Sequence, residues 1–99
     1  MMDVVFSELA TLELNDAVAF YELEHPGLGA RFKKEIFSTL KRIIQYPTVW
    51  AMERNEIRRC LVCKFPYKIL YSVEKDCILI LAIAHQHRKP DYWIGRLKS

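Results

Sequence analysis

At 99 residues the chain is too short to divide into two separately stable cores, which predicts one domain over residues 1–99. Its 52% hydrophobic and 27% charged residues exclude a disordered chain, and its longest apolar run, Ile78 to Ala84, is too short to span a bilayer. The net charge of +3 permits an acidic or phosphate-bearing partner without requiring one.

Met1-Met2-Asp3 places no basic region ahead of an apolar stretch, and three cysteines suggest no disulfide framework, so a cytoplasmic location is expected. Val4-Val5-Phe6 predicts a short strand. Ser7 is a good N-cap and Glu8 suits a first helical turn. Ala10, Leu14, Ala17 and Tyr21 then recur at helical spacing, with Glu13, Asp16 and Glu24 on the other side, until His25-Pro26-Gly27 ends the helix. From Gly29 a second helix carries Phe32, Ile36, Leu40, Ile43 and Ile44 on one face and closes at Tyr46-Pro47. So short a connection predicts an antiparallel hairpin. Charge is unevenly spread: Glu8, Glu13, Asp16, Glu22 and Glu24 make the first quarter acidic, while the cations crowd the second helix and the strand-rich remainder of the chain.

Thr48 to Asn55 has no clear period and reads as a loop whose Trp50 packs down on the core. Three strands come next, "IRRCLVCKF", "YKILYSV" and "CILILAIA", as two successive hairpins. In the middle one, Tyr67, Ile69, Tyr71 and Val73 alternate with Lys68, Leu70 and Ser72, the pattern of a sheet covered by helices on one face. The last is apolar throughout and belongs inside the sheet. The expected class is α+β, in the order β-α-α-β-β-β, with a helical hairpin packed on a mainly antiparallel sheet. Tyr67, Ile69 and Tyr71 should then lie beneath Ala17, Phe32, Ile36 and Leu40.

Cys60-Leu61-Val62-Cys63 has the spacing of a zinc or redox pair, but residues three apart on a strand face opposite ways, so both cysteines read as buried apolar residues. No metal site and no cofactor are expected. His85 and His87 share a face if the strand runs that far, with Arg88, Lys89 and Tyr92 close behind them in the chain. Cleaving RNA needs a base, cations for the phosphorane and an acid. His85 or His87, Arg58 or Arg59 with Arg88, and Tyr92 supply those types. The same arginines equally suit a solvated sheet face or one bound to an acidic peptide.

"AVAFYELEHPGLGARFKKEI", "FPYKILY" and "AIAHQHRKPDYW", in that order, resemble the RelE/ParE superfamily of toxins from type II toxin–antitoxin systems, over nearly all of Phe6 to Arg96. The resemblance implies the same β-α-α-β-β-β layout and a growth-inhibiting toxin neutralised by a cognate antitoxin, which wraps the helical hairpin and the basic sheet face. It implies one of two targets. A ParE-like member binds and inhibits DNA gyrase or another replication protein, here with Arg58, Arg59, Lys64, Lys68, Arg88, Lys89 and Trp93 as contact residues for antitoxin or target. A RelE-like member is a ribosome-dependent mRNA endoribonuclease, here with His85, His87, Arg88, Tyr92, Arg58 and Arg59 as its catalytic set. Tyr92 stands where RelE-like members carry a tyrosine, but Gln86 and Cys63 stand where two of their cations belong. That departure favours binding over chemistry.

Overall fold

In the computed structural model, which describes residues 2–97, seven elements precede a short C-terminal turn: β1 (Asp3–Phe6), α1 (Glu8–Glu24), α2 (Leu28–Gln45), β2 (Met52–Arg54), β3 (Ile57–Leu61), β4 (Tyr67–Val73) and β5 (Cys77–His85). The turn is a 3-10 helix, Ile94–Leu97. The strands form one sheet in the order β1-β5-β4-β3-β2, with β1 parallel to β5 and every other pairing antiparallel.

The helix boundaries obey local chemistry. Ser7 Oγ accepts the Ala10 N–H at 3.1 Å, an N-cap bond, while its own N–H donates to Ile80 O at 2.9 Å, so one residue starts α1 and extends the β1–β5 pairing. Replacing Ser7 with alanine should cost about 1 kcal/mol in denaturant titration, the ordinary worth of such a cap. Gly27, at φ +88°, is the N-cap of α2, and the Glu22 carboxylate accepts the N–H groups of Gly27 and Gly29 at 2.9 and 3.1 Å. At Gly29 the helices touch: a Cβ there would stand 2.6 Å from Val18 O.

The core lies between the hairpin and the sheet. Ala10, Leu14, Ala17, Phe32, Ile36, Leu40 and Ile43 of the helices meet Cys60, Ile69, Tyr71, Ile78, Ile80 and Ile83, with Tyr67 and Trp50 packed at the margin. Trp50 Nε1 donates to Arg42 O at 3.3 Å and closes the loop over α2. The expected burial of Ile69 and Tyr71 under Phe32, Ile36, Leu40 and Ala17 is present.

Three details depart from the sequence reading. Residues 52–54 form a strand rather than loop, because Asn55 and Glu56, at φ 51° and 64°, make a tight left-handed hairpin turn into β3. The strand read through Phe65 stops at Leu61 and turns through Lys64 at φ 72°, so Cys60 is buried but Cys63 is exposed, with Arg42 Nη2 3.9 Å from its sulfur. And the sheet is covered on both faces.

That second covering has a cause in β5. Leu70 pairs with Ala82 but Tyr71 pairs with Ile80, leaving Leu81 as the extra residue of a bulge. Leu81 and Ala82 therefore face the same way, with Ala84, Leu70 and Ile57, away from the helices. Trp93, 1% exposed, roofs this second cluster, flanked by Tyr92 and Ile94. β5 is apolar throughout because both its faces are buried.

Candidate functional site

β5 leaves the sheet at His85, and Gln86 N donates to Pro66 O at 2.8 Å, which fixes the exit beside the β3–β4 turn. The His85 ring stands edge-on to Tyr67 with centroids 5.1 Å apart, and its Nδ1 accepts the His87 N–H at 3.0 Å. The neutral ring then carries its proton on Nε2. The His87 ring lies 5.1 Å away, tilted by 36°. The chain folds back through Asp91, at φ 65°, so that Tyr92 and Trp93 return over the sheet.

Behind this exit lies a half-buried carboxylate. Glu13 of α1 accepts the Ile83 N–H at 3.0 Å, the Tyr92 O–H at 2.7 Å, and the two arms of the Arg96 guanidinium at 2.9 and 2.8 Å. Arg96 Nη1 also donates to Leu81 O at 3.0 Å, and Ser7 Oγ donates to the same carbonyl at 3.3 Å. Ile83 and Leu81 lie beyond Phe6–Ile80, the last β1–β5 pair, so side chains satisfy backbone groups that no strand reaches. Burial pushes the Glu13 carboxyl up, but the bonds from Arg96, Tyr92 and Ile83 outweigh it and hold the group below its ordinary value. Burial and the bond to Glu13 together push the Tyr92 phenol well above the ordinary tyrosine range. Arg88 stacks its guanidinium 3.8 Å above the Tyr92 ring, with Arg96 5.0 Å from the same ring. An open groove of about 270 Å³ runs between α1 and the end of β5, lined by Glu13, Asp16, Phe20, Tyr67, His85 and Arg88.

Only part of the residue set expected from sequence converges on this place. His85, His87, Arg88 and Tyr92 do. Arg58 and Arg59 are strand neighbours on opposite faces: Arg58 donates to Trp50 O at 2.7 Å, whereas Arg59 bonds Met52 O at 3.1 Å and Glu53 at 3.3 Å. Glu53 also takes Lys68 Nζ at 2.8 Å, and Arg54 pairs with Asp91, which ties the outer strand to the returning segment. Lys64 is exposed 3.7 Å from Glu35, Lys89 is exposed, and Trp93 presents no surface to a partner, being core instead. Glu13 and Arg96 were absent from the sequence-based set. They lie 83 residues apart, and no spacing rule connects them. Among the described residues no cluster of three or more His, Cys, Asp or Glu side chains is placed to hold a metal ion, and no helix is long and apolar enough to cross a membrane.

A helical hairpin on one face of a five-stranded sheet, with β1 parallel to its neighbour β5 at one side of the sheet, defines a small α+β fold. A solved structure described as "Chromosomal ParDE TA system from P. aeruginosa" matches it at a TM-score of 0.76 and 20% identity, over 86% of this chain and 96% of that one. The family model described as ParE toxin of type II toxin-antitoxin system, parDE, matches residues 4–90. The chain belongs to the ParE toxin family. No curated protein matches it in sequence. As a type II toxin it has a cognate antitoxin for a partner.

Proposed function

We propose that the chain arrests growth by binding DNA gyrase and blocking it, with no hydrolytic step of its own. The observation that carries this reading is the state of Tyr92. A general acid must release its proton to the leaving oxygen, yet this hydroxyl donates to Glu13 and its phenol is driven away from the range useful at neutral pH. Of the arginines that would balance phosphorane charge, Arg58 and Arg59 are separated by the sheet and engaged in structural bonds, which leaves Arg88 alone beside Tyr92. By contrast Arg88, Lys89 and Lys64 lie exposed around the exit of β5, where they suit an acidic protein surface. The antitoxin, on this reading, brings acidic and apolar residues to the same basic rim and to the helical hairpin.

The test is to assay purified chain against gyrase supercoiling, and to map messenger ends on translating ribosomes after induction. Supercoiling should fail while messenger remains intact. Folded variants with His85 or His87 changed to glutamine should retain toxicity, reduced in proportion to lost contact. Ribosome-dependent cleavage that disappears in either variant would establish the nuclease reading in place of this one.

A further inference from the structure

Helix α1 is apolar on two sides. Ala10, Leu14 and Ala17 enter the core, while Leu9, Leu12, Phe20 and Leu23 are exposed, Leu23 to 88%. At 3.6 residues per turn those four fall in one stripe about a quarter-turn wide. A helix apolar on both sides is normally covered on both. On α2, Phe37 is 47% exposed, in an open depression it shares with Ala30, Lys33, Lys34 and Lys41.

The charges on the two helices are of opposite sign and do not meet within the chain. Helix α1 holds five carboxylates and no lysine or arginine. Glu13 is held by Arg96 and Glu22 by the start of α2, but Glu8, Asp16 and Glu24 form no ion pair among the described residues. Nor do Arg31, Lys33, Lys34 and Lys41 of α2.

We propose that the antitoxin-free chain pairs with a second copy of itself through the helical hairpin, α1 of each copy lying on α2 of the other. A twofold axis parallel to the helices brings α1 against its partner's α2 in antiparallel sense, so that every neighbouring pair in the resulting four-helix layer is antiparallel. The helices match in length, 17 and 18 residues, or about 26 Å each. The acidic, leucine-rich side of α1 then meets the basic side of α2 around Phe37, twice over by symmetry. A partner of one charge sign would satisfy one helix and oppose the other, whereas a second copy satisfies both. The arrangement is independent of the target, and an antitoxin that wraps the hairpin has to separate the pair.

The experiment is sedimentation of the full chain, free of antitoxin, over a range of concentration and salt, with circular dichroism to verify folding. The parent should show a monomer–dimer equilibrium that weakens as salt rises. One variant carries Asp16→Lys and Glu24→Lys; the other carries Lys33→Glu and Lys34→Glu. Each alone should raise the dimer Kd roughly a hundredfold, because both contacts become like-charged. An equimolar mixture of the two should restore pairing as a heterodimer, since its α1 and α2 surfaces are again complementary. A parent that stays monomeric up to its solubility limit overturns the proposal, as do variants that dimerise normally or a mixture that remains monomeric. A monomeric parent whose antitoxin affinity falls on Leu23→Glu would assign the stripe to the antitoxin instead.

Discussion

Replacing Trp93 with alanine should lower the unfolding free energy by about 3–5 kcal/mol, a large share of what a domain of this size holds. The indole is the largest fully buried side chain and the roof over Ile57, Leu70, Leu81, Ala82 and Ala84. Its removal both forfeits apolar burial and opens the outer sheet face to water. Chemical denaturation should show an earlier midpoint, and binding of a hydrophobic dye should rise under native conditions. Were Trp93 a surface contact for a partner, the same change would move stability by no more than about 0.5 kcal/mol, so an unchanged midpoint would refute the two-faced core.

The second large effect belongs to Glu13. Changing it to alanine leaves the Arg96 guanidinium, Tyr92 hydroxyl and Ile83 N–H without their acceptor in a place where Glu13 and Arg96 are 16% and 15% exposed. Loss of one partner from a buried pair costs about 3–5 kcal/mol, and the residual solvent access here lowers the expectation to roughly 2–4 kcal/mol. The pH dependence has a definite sign. The folded carboxyl is held below its ordinary value of 4.5, so its stabilising effect is complete above that pH and is lost as pH falls through the lower folded-state value. Glu13→Gln should be less stable than the parent at neutral pH, and the gap should narrow on acidification below about 4.5. Parallel stability curves across that range would show that the carboxylate charge is not what binds the C-terminal segment.

Both predictions concern features that the sequence conceals. The hairpin was legible because Phe32, Ile36, Leu40 and Ile43 keep an unbroken helical period and are all buried. The interior place of β5, between β1 and β4, was legible from its apolar run. The bulge at Leu81 was not, since seven consecutive apolar residues carry no record of which face each takes. The strand at 52–54 was missed because its turn uses Glu56 at a left-handed position where glycine is the usual signal. Trp93 sits among Arg88, Lys89, Asp91 and Arg96, and that polar company made a core residue look like a contact residue. In the candidate site, local clustering in the sequence drew attention to His85, His87, Arg88 and Tyr92, which the fold keeps together at the exit of β5. Alternation along β3 was enough to separate Arg58 from Arg59, yet only the fold reveals that Glu13 claims the tyrosine.

The clamp between Glu13 and Arg96 also bears on when the toxin comes into being. During synthesis the α1–α2 hairpin can form early, from contacts close in sequence. But β1 has no strand to pair with until β5 emerges, and Glu13 has no guanidinium until Arg96 has left the ribosome. Parallel pairing between chain ends is intrinsically slow, because the whole intervening chain must be closed into a loop before any bond rewards it. A nascent chain therefore displays its helices well before it owns the finished rim around His85, and an antitoxin already present in the cell meets the helices before that rim exists.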